Sequence, residues 1–175
     1  MLNNQEFKMM RKRIIDCVLA TDMTKHAHGY HYFKMKVETY QIKNGFNINK
    51  IIQNLDESGK NQTKQEFLNT LIHLADISNP LKPLKVYKKW AEYVMNEFWL
   101  QGDKERELGI QFSYLCDRRT TKLSAAQVGF MDGIVLPLTQ VLVEMFPSLY
   151  FMVENIMINS AYFKKLKEEE ADNQF

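Results

Sequence analysis

VGFMDGIVLPLTQVLVEM, residues 128–145, places Val128, Met131, Ile134, Val135, Leu138, Val141, Leu142 and Met145 at spacings of three and four. That is the period of a helix with one buried face, and Pro137 within it predicts a kink. Asp132, Gln140, Glu144, Pro137 and Pro147 interrupt the longer apolar run from Phe130 to Val153, so it reads as core and not as a membrane span. Outward from it the helical period persists. A last helix is predicted from about Leu149 to Glu170, with a charged, fraying tail at 171–175. Upstream, Pro83 opens a helix carrying Tyr87, Trp90, Val94, Phe98 and Leu100, with Gly102 as its C-cap and Asp103 capping a short helix beyond. Thr63–Ser78 is a helix with Phe67, Leu71, Leu74 and Ala75 inward, and Asn79-Pro80 ends it. Phe7, Met10, Ile14 and Val18 mark another between Phe7 and Lys25. Between Gly29 and Gln62 the polar composition and the turn-prone Lys43-Asn44-Gly45 and Asp56-Glu57-Ser58-Gly59 predict an irregular connection, with a short helix over Ile48, Ile51, Ile52 and Leu55. No strand alternation competes, so the class is all-α, a compact bundle of helices joined by short connections.

Composition bounds the function. The 175 residues are 45% hydrophobic and 25% charged, enough for a core and too balanced for disorder. The net charge of +2 is spread along the chain, which argues against a nucleic-acid polymer as partner. Cys17 and Cys116 fit neither a disulfide framework nor a Cys-x-x-Cys site, and no signal sequence opens the chain, so a reducing, cytoplasmic compartment is expected. His26, His28 and His31 lie close together, but no carboxylate accompanies them, so no metal site is expected there. His73 is expected to cap or pack near its helix end.

Four segments carry chemistry: Ala20-Thr21-Asp22-Met23-Thr24-Lys25-His26, His73-Leu74-Ala75-Asp76-Ile77-Ser78-Asn79-Pro80, Phe98-Trp99-Leu100-Gln101-Gly102-Asp103-Lys104-Glu105-Arg106-Glu107 and Ser124-Ala125-Ala126-Gln127-Val128-Gly129-Phe130. Their order and spacing resemble the catalytic domain of the class I cyclic nucleotide phosphodiesterases, within the HD-domain-like superfamily, and specifically its C-terminal half. On that resemblance residues 1–170 are a C-terminal portion of the domain, and the missing N-terminal half is an expected partner.

The resemblance implies hydrolysis of cyclic AMP or cyclic GMP to the 5′-monophosphate, in signal transduction, by a water activated between two divalent metals, zinc with magnesium or manganese. Asp76 matches one metal ligand of that family, the only one expected in this chain, and the general-acid His is absent. Gln127 matches the glutamine that hydrogen-bonds the purine, an apt choice because one amide supplies both donor and acceptor. Phe130 and Val94 match the residues stacked on either side of the base, and Asn79 one that approaches its edge. Asp76, Met23, Ile77, Phe98 and Leu115 match pocket walls, and Asp22 a position behind the metals. Ala91 and Ala126 stand where many members carry small polar residues, which leaves the orientation of the Gln127 amide open. A chain with one metal ligand is expected to be inactive alone. The competing reading is a non-catalytic helical module that binds nucleotides or proteins.

Overall fold

The computed structural model describes residues 2–44 and 56–172. Helices are α1 (Asn4–Leu19), α2 (His26–Asn44), α3 (Glu57–Asp76), α4 (Leu84–Glu107), α5 (Leu123–Phe130), α6 (Leu136–Met145) and α7 (Tyr150–Asp172). Short 3-10 turns cover Met23–Lys25, Asn79–Leu81 and Pro147–Leu149. Among the described residues there is no strand. The chain divides into two compact units, Met1–Ile77 and Ser78–Phe175.

In the first unit, the starts of α1 and α3 have a local cause. Asn3 and Glu6 form a reciprocal capping box, with Glu6 N donating to Asn3 Oδ1 at 2.9 Å and Asn3 N to Glu6 Oε2 at 2.8 Å. Asp56 accepts from Gly59 N at 2.7 Å, so the stretch expected as a turn is the cap and first turn of α3. The expected irregular connection is also corrected: His26–Asn44 is helical. That helix runs antiparallel to α3, because His26 meets His73, Phe33 packs on Phe67 with ring centroids 6.0 Å apart, and Lys36 pairs with Glu66. The predicted short helix over Ile48 to Leu55 lies outside the described residues. α1 lies along α3, tied by Arg13 Nη2 to Asn61 Oδ1 at 2.9 Å, yet none of its residues is buried.

The second unit holds the larger core: Tyr87, Ala91 and Met95 of α4, Leu138, Val141, Leu142 and Met145 of α6, and Val153, Ile156 and Phe163 of α7. α7 runs antiparallel to the chain from α5 onward, with Ser124 donating to Glu170 at 2.6 Å and Ser160 to Asp132 at 2.8 Å. Asn159, fully buried on α7, donates from Nδ2 to the carbonyls of Pro80 and Lys82 at 2.7 and 2.8 Å, and Asn155 donates to that of Leu81 at 3.0 Å. These bonds clamp the turn that carries Asn79.

Two expectations about this unit change. Gly102 does not end α4, which runs on to Glu107. The glycine is needed for close approach, since a Cβ there would stand 1.9 Å from the Cys116 carbonyl oxygen. The expected kinked helix is three pieces, because Pro137 offers no N–H to the carbonyl of Gly133, and the chain widens into a π-turn over Met131–Val135. The run Leu123–Met145 has the length and apolar composition of a membrane span. Its break at the π-turn and its buried Met131, Val135, Leu138 and Leu142 make it the core segment of this unit.

Candidate functional site

In the second unit, Gln127 is buried on α5, and its amide oxygen accepts a 2.6 Å hydrogen bond from the hydroxyl of Tyr87 on α4. Tyr87 is 1% exposed, and burial pushes its phenol well above the ordinary range, so it keeps the proton that it donates to Oε1 here. The bond pins Oε1 toward α4, which leaves the Nε2 donors for whatever comes against the other side. Ala91, one turn beyond Tyr87 on the buried face, brings no competing polar group. The orientation left open by the sequence is thus set by a tyrosine that the sequence reading treated only as a helix residue. Its signal was available: Tyr87 precedes Val94 by seven residues, two turns along the same face.

The remaining candidates of this unit occupy related places. Val94 and Phe98 are half-buried, one turn apart on α4, and Phe130 is half-buried three residues after Gln127 on α5. Asn79 is half-buried at the start of the turn clamped by Asn159 and Asn155. Leu115 adopts a φ of 63°, a left-handed conformation uncommon for a residue with a Cβ, in the segment that packs its neighbour Cys116 on Gly102.

In the first unit, Asp22 caps the turn Met23–Lys25, accepting from Thr24 N at 2.9 Å and Thr24 Oγ1 at 2.7 Å, and the hydroxyl bond foremost holds its carboxyl below the usual range. Met23 is exposed, Asp76 is the exposed last residue of α3, and Ile77 behind it is buried. Among the described residues no group of three or more His, Cys, Asp or Glu side chains is placed to hold a metal ion. Asp76 alone does not make a site for a divalent pair, which needs several donors per ion.

His26 and His73 form a buried pair, with His26 Nδ1 2.8 Å from His73 Nε2. His73 Nδ1 is buried without a partner. An orphaned acceptor costs less than an orphaned N–H, so the favoured tautomer has His73 Nε2–H donating to His26 Nδ1. Burial lowers the pKa of both imidazoles from 6.5, reinforced at His26 by repulsion from His73 and opposed at His73 by Asp76. The unfolded chain therefore takes up protons first. The pair's contribution to stability is full above the unfolded pKa and falls as pH drops through 6.5 toward the lowered folded values. Urea midpoints should fall between about pH 7 and pH 5, and His26→Gln, which keeps a hydrogen-bonding group, should flatten that slope. An unchanged slope in the variant would assign the titration elsewhere.

Comparison with known proteins adds the context. Residues 1–156 match the family described as 3′5′-cyclic nucleotide phosphodiesterase. A probable 3′,5′-cyclic-AMP phosphodiesterase of Caenorhabditis elegans is 37% identical over 172 residues, 98% of this chain and 24% of that protein. A 3′,5′-cyclic-AMP phosphodiesterase isoform of Drosophila melanogaster is 35% identical over 166 residues, 94% of this chain and 24% of that protein. The solved phosphodiesterase domain of the Salpingoeca rosetta rhodopsin phosphodiesterase superposes with a TM-score of 0.80 at 31% identity, covering 99% of this chain and 49% of that one. The chain thus spans about a quarter of these curated relatives and about half of the solved domain.

Two expectations give way to these matches. Likeness to a C-terminal half alone is replaced by a match to the family along 94–99% of the chain, and with it goes the missing N-terminal half as a partner. The partial, HD-domain-like bundle is replaced by the phosphodiesterase-domain fold, which the superposition follows over nearly every residue.

Proposed function

This chain belongs to the 3′5′-cyclic nucleotide phosphodiesterase family, metal-dependent hydrolases, and from that premise we propose that it binds the base of a 3′,5′-cyclic nucleotide, preferably cyclic AMP, through Gln127. The observation that carries the reading is the Tyr87–Gln127 bond. A pinned amide offers donor and acceptor in one fixed order. Adenine and guanine present theirs in opposite orders along the edge that joins N1 to the C6 substituent, so a fixed amide favours one base. The cyclic-AMP phosphodiesterases among the relatives point to adenine. Phe130 and Val94 supply stacking surface, Asn79 a second polar group, and Phe98 and Leu115 wall.

The family's metals, zinc with magnesium or manganese in this proposal, would polarise the phosphate and activate water, with Asp76 as one candidate donor. The described donors do not fit such a pair. The same observation favours a second reading, in which the chain binds nucleotide without hydrolysing it. Both readings suit a chain with two free cysteines acting in signalling inside the cell.

Calorimetric titration with cyclic AMP and cyclic GMP tests the base site, and assay of 5′-monophosphate with zinc and magnesium present separates the two readings. Gln127→Ala should weaken cyclic AMP about tenfold, the loss of two hydrogen bonds. Tyr87→Phe should keep the affinity for cyclic AMP within about threefold but cut the preference over cyclic GMP by about tenfold, since it frees the amide to rotate. Equal binding of both nucleotides by the unaltered chain would defeat the proposal.

A further inference from the structure

The outer face of α4 carries a cluster that nucleotide binding does not use. Lys85, Val86, Lys89, Trp90 and Tyr93 recur at spacings that keep them on one side of the helix, opposite the buried Tyr87, Ala91 and Met95. Val86, Trp90 and Tyr93 are 42%, 46% and 65% exposed, and the two aromatic rings meet edge to face with centroids 6.3 Å apart. Lys85 and Lys89 are exposed, and among the described residues neither forms a salt bridge. Lys88, beside them, lies over the Tyr162 ring at 4.6 Å, and Tyr162 foremost, with Glu92 after it, favours its charge. From Lys82 through Ala91 the sequence holds four lysines and no acidic residue, so the positive charge gathers at the N-terminal half of this face, and the exposed Glu92 and Glu97 lie toward its other end.

We propose that this face of α4 is a docking surface for an anionic lipid bilayer, with Trp90 and Tyr93 entering the headgroup region and Lys85 and Lys89 meeting lipid phosphates and carboxylates. Charge complementarity carries the choice of partner. Trp and Tyr settle where an apolar ring body meets lipid and a polar tip meets water, and lysine stems snorkel along apolar surface while their ammonium groups stay at the headgroups. The combination also discriminates against a protein partner. Protein interfaces enrich Trp, Tyr and arginine but deplete lysine, and every cation in this cluster is a lysine. A convex helix face also suits a broad fluid surface better than a specific groove. Binding of this kind is reversible and peripheral, since one aromatic pair and a few charges fall well short of stable anchoring.

The test is sedimentation of the whole chain with phosphatidylcholine vesicles and with vesicles containing about a third phosphatidylserine, where each lysine near the surface is worth about fivefold in partitioning. The expected result is binding to the anionic vesicles only, lost on raising salt and reduced at least about tenfold by Lys85→Glu with Lys89→Glu. Trp90→Ser with Tyr93→Ser should reduce it comparably. All four side chains are solvent-exposed, so these variants should keep the fold, which circular dichroism checks. In parallel, emission from Trp90 in a Trp99→Phe background should shift to the blue on the anionic vesicles. No sedimentation with the anionic vesicles overturns the proposal and leaves the face to a protein partner. Sedimentation that survives the double Lys→Glu change also overturns it, and would turn attention to other basic surfaces such as Lys8, Arg11 and Lys12 of α1.

Discussion

Gly102→Ala should destabilise the chain by about 3 kcal/mol, against the usual gain from replacing a helical glycine by alanine. Propensity alone predicts a gain of nearly 1 kcal/mol at a position inside α4. The added Cβ, however, would stand 1.9 Å from the Cys116 carbonyl oxygen and 2.6 Å from its carbon, and both are backbone atoms. The segment holding Cys116 cannot easily retreat. Glu105 ties it to α4 by accepting from Ser113 N at 2.8 Å and from the Ser113 hydroxyl, and Gln101 donates to the same carboxylate at 2.8 Å. Either those bonds break or α4 shifts, and overpacking of this kind outweighs propensity. Gly129→Ala is the paired control, since a Cβ there meets nothing within 4 Å, and it should be neutral or stabilising by up to about 1 kcal/mol. Urea denaturation of both variants gives the two differences, and a stabilised Gly102→Ala would mean that the approach to Cys116 is looser than described.

Asn159→Leu should cost about 3 kcal/mol, and Asn159→Asp more. Leucine nearly preserves the volume but withdraws both donors, so the carbonyls of Pro80 and Lys82 lose the bonds they receive at 2.7 and 2.8 Å. Aspartate is worse because it sets an acceptor against two acceptors at a position with no exposure, and a buried charge is costly without a partner. Asn155→Ala, which removes the single bond to Leu81, should cost nearer 1 kcal/mol. The turn held by these groups carries Asn79, so cyclic-AMP titration of Asn159→Leu at a temperature where it stays folded should also report weaker binding. A loss of stability with unchanged binding would separate the clamp from the site.

The helical class was legible because buried residues recur at three and four, and Asn79-Pro80 ended α3 for a reason any sequence states. α2 was hidden: among the residues whose burial is described, Phe33 and Val37 mark its buried side beyond His26, and Gly29 with its polar neighbours resembles a loop. Gly102 was misread because a glycine near a helix end serves equally as a cap or as a point of close approach, and only the position of Cys116 decides. The motif order pointed to Gln127 and Phe130, but not to Tyr87 as the group that orients the amide. Nor was the His26–His73 pair visible, since the partners lie 47 residues apart and no local pattern records such a meeting.

The π-turn over Met131–Val135 is a phase shift of one residue inserted between α5 and α6. An α-helix advances about 100° per residue, so tightening this turn into α-helix with every residue kept would rotate all that follows by about that angle, whereas deleting the one extra residue would let α5 run into α6 with its faces unchanged. In the first case Leu138, Val141 and Leu142 would leave the interior, and Gln140 and Glu144 would turn toward it. A deletion of one codon within the π-turn is therefore absorbed where it falls, whereas the same deletion inside α6 rewrites which face the unit can bury.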